Sequence, residues 1–179
     1  MPRPPRVAFE NAIYHVTTRG VRREDVFRDD RDRRRFLRLL ALVVRRFEWD
    51  LFSFVLMDNH IHLFVRTPKA NISKGMQYLL SSYAAWWTVR HDEPGHVFQS
   101  RFHSKLVEGA GYFWTVTRYV HLNPVRAGMI PGPQDWQWSS FPGYVDRDRR
   151  VSWVAYDAVW GAWQGEFGGD DPQTACACP

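Results

Sequence analysis

At 179 residues, with 45% hydrophobic, 24% charged and 16% aromatic residues, the chain has room for one domain with its own core and falls outside the disordered classes. No apolar run spans a bilayer, the opening MPRPPRVAFENAIYHV lacks the apolar stretch of a signal peptide, and Cys176 and Cys178, the only cysteines, can build neither a disulfide framework nor a zinc site; a cytoplasmic protein without membrane association is expected. The formal net charge of +5, from 24 Lys and Arg against 19 Asp and Glu, suits a phosphate-bearing partner such as nucleic acid, although so modest a charge also serves solubility alone.

NAIYHVTTRG combines β-branched and aromatic residues and stops at Gly20, which predicts a first strand over residues 11 to 18. DDRDRRRFLRLLALVVRRF follows, with acids first, bases last, and Phe36, Leu39, Leu40, Val43 and Phe47 at helical spacing. Its arginines 31, 33, 34, 35 and 38 read as a solvated face with internal ion pairs. WDLFSFVLM and HIHLFVRTP, separated by Asp58-Asn59, read as an antiparallel hairpin. ISKGMQYLLSSYAAWWTVR predicts a second helix with Ile72, Met76, Leu79, Leu80, Tyr83 and Trp87 on its apolar stripe.

VFQSRFHSKLVE alternates as a fourth strand, and GYFWTVTRYVHLNPVRAG reads as a third helix that loses regularity at Asn123, before Pro124. The order is βαββαβ and then a helix. It suits an α+β ferredoxin-like sandwich: an antiparallel sheet with helices on one face and an additional tyrosine-bearing helix. Beyond it, Trp136, Trp138 and Phe141 are expected to wrap the core. The expected division is a domain over residues 1–145, an extension packing on it over 146–164, and a disordered tail over 165–179.

His60 and His62 stand two apart on a strand, so both imidazoles face one way and can share a ligand. The third helix offers Tyr119 and Asn123, four apart and hence on one face. Two imidazole nitrogens and an amide oxygen, with positions left for water or phosphate, suit Mn²⁺ or Mg²⁺ and do not exclude Zn²⁺. Such an ion polarises a phosphodiester while the tyrosine oxygen attacks phosphorus, a covalent route that conserves the bond energy for rejoining. The cationic candidates for nucleic-acid phosphates are Arg19, Arg22 and Arg23 after the first strand, Arg101 and Lys105 on the fourth, and Arg126 beyond the tyrosine. His15, His96 and His103 are weaker candidates, His121 a surface or structural residue, and His91 a loop residue without a role.

MDNHIHLFV resembles the His-hydrophobic-His motif of HUH endonucleases, and TRYVHLNPVRAG the tyrosine helix of single-tyrosine transposases. With YHVTTRG, VFRDDRDRRRFL, VFQSRFHSKLVE and WQWSSF, the ordered set over residues 7 to 145 resembles the REP-associated tyrosine transposases, relatives of the transposases of small insertion sequences. That resemblance implies single-stranded DNA carrying a hairpin as substrate. Tyr119 would match the nucleophile, forming a 5′-phosphotyrosine link and releasing a 3′-hydroxyl. His60 and His62 would match the metal ligands and Asn123 a further polar ligand. Asp58 departs from the proline common at that place and adds a carboxylate beside the site. The resemblance also implies a monomer, with a homodimer that exchanges tyrosine helices as the wider family's alternative. Two other readings are a non-catalytic protein that binds hairpin DNA or RNA for regulation, and a metal-dependent hydrolase using water.

Overall fold

Strand β1 (Ala12–Arg19) buries Ala12, Tyr14, Val16 and Thr18 on one face and leaves Ile13, His15 and Thr17 half-buried on the other, following the period of two in its sequence. The computed structural model describes residues 8–167. β2 (Asp50–Leu56) and β3 (His60–Thr67) form the expected hairpin, β3 pairs with β1, and β1 pairs with β4 (His103–Leu106). All pairings are antiparallel, and the sheet order is β2-β3-β1-β4.

Register sets which side chains share a face. Thr17 lies opposite both His62 and His103, Arg19 opposite His60, and His15 opposite both Phe64 and Lys105. One face of the sheet therefore carries a run of histidines and cations, while the other carries Tyr14, Val16, Ile61, Leu63 and Val65, all at most 1% exposed.

The apolar face is closed by a helix pair. Helix α1 (Asp30–Phe47) starts where the Asp29 carboxylate accepts from the Asp32 amide at 3.0 Å, and ends with Arg45 and Arg46 in its last turn, both favourable to the helix dipole. It buries Phe36, Leu39, Leu40 and Val43 against helix α2 (Ile72–His91), which supplies Met76, Leu79, Tyr83 and Trp87. Tyr83 reaches through this layer, its hydroxyl donating to the Val26 carbonyl at 2.6 Å and its ring meeting Phe27 and Phe36.

Helix α3 (Ala110–Arg126) packs against β2 and β3 from the histidine side. Phe113 anchors it, with its ring centroid 4.5 Å from that of Phe52 and 4.8 Å from that of Phe64. Helix α4 (Phe141–Val145) and helix α5 (Tyr156–Phe167) follow, α5 lying on α3. The segment before α4 covers the outer edge of β2: the Leu56 amide donates to Trp138 O at 2.9 Å and the Ser140 amide to Phe54 O at 3.0 Å. Trp138 and Phe141 are buried, and the Trp136 indole N–H donates to Leu56 O at 3.0 Å, so the aromatics wrap the core as expected. The architecture is the expected α+β sandwich with a separate tyrosine-bearing helix. No helix among the described residues is long and apolar enough to cross a membrane.

Several expectations need correction. The fourth strand covers only His103–Leu106, because residues 97–99 pair with the end of β1 and the polar stretch 99–101 bows away before β4 begins. The third helix continues through Pro124 to Arg126. Pro124 has no N–H for the Val120 carbonyl, but the Asn123 side-chain amide turns back onto Tyr119 O at 2.7 Å and Val120 O at 3.5 Å, softening the loss. Arg33 is not on the solvated face: it is 8% exposed, pairs with Asp58, and lies over the rings of Phe27, Trp136 and Trp138. His91 ends α2 and bonds the buried Asp32 carboxylate at 3.1 Å. Helix α5 runs to Phe167, into the stretch expected to be tail, and residues 168–179, with Cys176 and Cys178, lie outside the described residues.

Candidate active site

Between the histidine face of the sheet and α3 lies a polar cavity of about 530 Å³. β1 contributes His15, Thr17 and Arg19 to its wall, β3 contributes His60 and His62, and α3 contributes Tyr119 and Asn123. The bowed stretch Gln99–Arg101 closes the remaining side with His103. The strands bring these residues together through the pleat and the register, and α3 brings its pair through the four-residue spacing.

The tyrosine stands directly over the imidazoles. Its ring centroid is 5.6 Å from that of His15 and 5.7 Å from that of His62, both edge-on, and the Arg126 guanidinium lies over the ring, 5.1 Å from its centroid. Tyr119 is 37% exposed, so its hydroxyl-bearing ring is accessible to a large substrate.

Each of the paired histidines has its Nδ1 engaged. His60 Nδ1 lies 2.7 Å from Asn59 Oδ1, and the Asn59 amide is itself oriented by donating from Nδ2 to Arg23 O at 3.0 Å. Asn59 thus presents an acceptor, His60 donates from Nδ1, and its Nε2 keeps the lone pair. His62 Nδ1 lies 2.9 Å from His15 Nε2, with the two rings nearly coplanar and their centroids 5.1 Å apart. The His60 and His62 centroids are also 5.1 Å apart.

All three imidazoles are held neutral. Burial pushes His62 down to about 3, helped by His15, His60 and Arg19. Burial and then Arg19 lower His60, with Asp58 opposing, and burial and then Lys105 lower His15. Neutral imidazole is the form that binds a metal ion.

The donor set fits a divalent ion in part. His60 and His62 can each offer Nε2, and Asn123, whose Nδ2 is committed to helix carbonyls, has Oδ1 as the remaining pole of its amide. Among the described residues no group of three or more His, Cys, Asp or Glu side chains could hold a metal ion, so such a site leaves positions for water and phosphate oxygens. Asp58 does not line the cavity, and its Oδ1 is paired with Arg33.

Of the cationic candidates, Arg19 and Arg101 line the cavity, Arg126 covers Tyr119, and Lys105 lies opposite His15 on the sheet. Arg22 and Arg23 sit in the exposed turn after β1, outside the cavity wall. His121, fully buried, bonds Ser140 Oγ at 2.8 Å on the far side of α3. Sequence reasoning ranked His15 and His103 as weaker candidates and passed over Thr17, Gln99 and Ser100 as parts of the wall. The signal for His15 and Thr17 was the same alternation that gave the strand, since they share a face with Arg19.

The family model described as IS200-like transposase matches residues 8–123. A REP-associated tyrosine transposase, solved bound to a REP hairpin, superposes with a TM-score of 0.69 at 18% identity, covering 84% of this chain and 89% of that one. A transposase candidate from Deinococcus radiodurans gives a TM-score of 0.46 at 15% identity, covering 66% of this chain and 95% of that one, too weak a likeness to add to the first. A search of curated proteins finds no match. The matched span runs from before β1 to Asn123 and holds every histidine and the tyrosine of the cavity: the chain belongs to the family of IS200-like transposases, and is a DNA-processing enzyme.

Proposed function

We propose that this chain cleaves and rejoins single-stranded DNA beside a hairpin, through a covalent 5′-phosphotyrosine link formed by Tyr119. The observation that carries the reading is the Tyr119 ring packed edge-on against His62 and His15 in one polar cavity. A nucleophile on that helix face meets a phosphate held against the sheet.

His60 and His62 through Nε2, with the Asn123 oxygen, would hold Mg²⁺ or Mn²⁺. When bound, the ion supplies charge neutralisation at the scissile phosphate and at the departing oxygen. The chain's own residues do the rest. Arg19 and Arg101 in the cavity wall, with Lys105 and Arg126 close by, offer donors to phosphate oxygens, and Arg22 and Arg23 extend the cationic surface along the turn. Tyr119 Oη gives its proton to solvent and forms a bond to phosphorus as the bond from phosphorus to the 3′ oxygen breaks; that oxygen takes a proton from solvent and leaves as a 3′-hydroxyl. Attack by another 3′-hydroxyl reverses the step and frees the tyrosine.

The hairpin substrate is supported by the relative of the same fold that was solved on a REP hairpin. A monomer is the simplest working form, since one chain supplies both the histidines and the tyrosine.

The test is a denaturing gel of the protein with labelled hairpin oligonucleotides from the DNA flanking its own gene, in Mn²⁺ or Mg²⁺ against chelator. A covalent band that requires metal and disappears in Tyr119→Phe is expected. Cleavage without a band at any time would point to water as the nucleophile. Tight binding without cleavage would overturn the enzymatic reading in favour of a hairpin-binding protein.

A further inference from the structure

The imidazole of His15 meets both His62 and Tyr119: its Nε2 is 2.9 Å from His62 Nδ1 with the two rings nearly coplanar, and its ring lies roughly perpendicular to that of Tyr119 at a centroid separation of 5.6 Å. A contact of 2.9 Å between two neutral imidazole nitrogens holds one proton, and two arrangements are open to it. If His15 Nε2 carries the proton and donates, His62 Nδ1 is the acceptor and His62 must carry its proton on Nε2. That nitrogen then has no lone pair for a ligand. If His62 Nδ1 carries the proton, its Nε2 is bare.

His60 shows which arrangement suits the site. Asn59 can only accept from it, which places the proton on Nδ1 and leaves Nε2 bare. We infer that His15 is a positioning residue that accepts from His62 Nδ1, locking His62 in the same Nδ1–H tautomer as His60, so that the two histidines of the motif present matched Nε2 lone pairs. The inference deepens the metal-holding role proposed above and rests on it. His62 is 6% exposed, and the register leaves it between Val55 and Thr17 with no strand carboxylate to orient it. An imidazole from the neighbouring strand fills the place that a carboxylate or carbonyl takes behind many metal-binding histidines.

Coplanarity adds a second constraint. The interplanar angle of 13° with the 2.9 Å contact sets the two rings edge to edge in nearly one plane, as an in-plane N–H···N bond requires, which restricts rotation about the His62 χ2 as well as its tautomer. Replacing His15 by phenylalanine keeps an aromatic ring of similar size and removes the acceptor. Replacing it by glutamine removes the ring but returns an acceptor oxygen at about the reach of Nε2.

Two measurements on the full-length chain decide the matter. Two-bond ¹H–¹⁵N correlation spectra of the imidazoles report each tautomer, and Mn²⁺ titration followed by electron paramagnetic resonance of the free ion reports affinity. In the wild type, His62 is expected as the Nδ1–H tautomer. In His15→Phe it should lose that preference, with Mn²⁺ affinity falling about 10- to 100-fold, while His15→Gln recovers most of both. An Nε2–H tautomer for His62 in the wild type, or a His15→Phe protein with unchanged tautomer and affinity, would overturn the inference. If the wild type and His60→Ala bind Mn²⁺ equally poorly, the metal reading itself fails, and the wild-type tautomer still decides whether His15 orders His62.

Discussion

His121 shows how a single histidine in this chain reports on folding rather than on catalysis. It is fully buried, bonded to Ser140 Oγ, and boxed by Phe141 and Tyr144, and burial pushes it down to about 3. Its unfolded counterpart titrates near 6.5. Below that pH the unfolded chain takes a proton that the folded chain refuses, so the stabilisation is complete above pH 6.5 and is lost as pH falls toward 3. By pH 5 the loss from this residue is about 2 kcal/mol. His15, His60 and His62 are shifted in the same direction and add to the slope. Urea midpoints at pH 7 and pH 5 should therefore differ less in His121→Gln than in the wild type. Equal differences would mean that His121 is not held neutral. The same residue illustrates the limit of sequence reading: its position two beyond Tyr119 says that it faces away from the cavity, but burial at that place depends on the segment around Ser140, which comes from 19 residues further on.

At the scale of elements, periodicity carried most of what was legible. β1, the hairpin, α1 and α2 have their expected places because each buries one face, and the apolar spacing of such elements is written in consecutive residues. What was hidden depends on distant partners. Arg33 looks like one arginine among many, and only tertiary contact with Asp58 and three aromatic rings takes it out of solvent. The pairing also gives the Asp58 carboxylate a structural partner: it ties the β2–β3 connection to α1. His60 and His62 were legible because both lie on one strand, whereas the contact of His15 with His62 crosses 47 residues.

Gly75 offers a test at this scale. In α2, a Cβ on Gly75 would run into the ring of Trp49, which is 4% exposed and fixed by its indole N–H donating to Asn71 Oδ1 at 2.7 Å. Alanine favours a helix over glycine by about 1 kcal/mol, but displacing a fixed buried ring costs about 1–3 kcal/mol. Gly75→Ala should lower the denaturation midpoint, while Gly161→Ala in α5, where nothing lies within 4 Å of the added carbon, should raise it or leave it unchanged. A stabilised Gly75→Ala would show that the helix-to-Trp49 approach is not tight.

For the molecule as a whole, the decisive feature is that α3 folds back on its own sheet. Only residues 107–109 separate β4 from α3, and the helix is seated by Phe113 between Phe52 and Phe64, by buried Val116 and Val120, by His121 on Ser140, and by α5 behind it. Exchanging the helix between two chains would require withdrawing all of that apolar surface from both, several side chains at roughly 1.5–3 kcal/mol each, before any new contact formed. A tyrosine delivered to its own histidines follows. A mixture of Tyr119→Phe and His62→Ala proteins then contains no chain with a complete site, and the covalent band with hairpin DNA should stay at the level of the separate variants. Recovery of a substantial fraction of wild-type adduct on mixing would require a His62-intact sheet to meet a Tyr119-intact helix from another chain, and would establish exchange in solution. Repeating the mixture after joint unfolding and refolding separates the two causes of a negative result. If exchange is merely slow, refolding allows chains to pair afresh and the band returns. If the closed arrangement is the more stable one, each helix returns to its own sheet and the band stays absent.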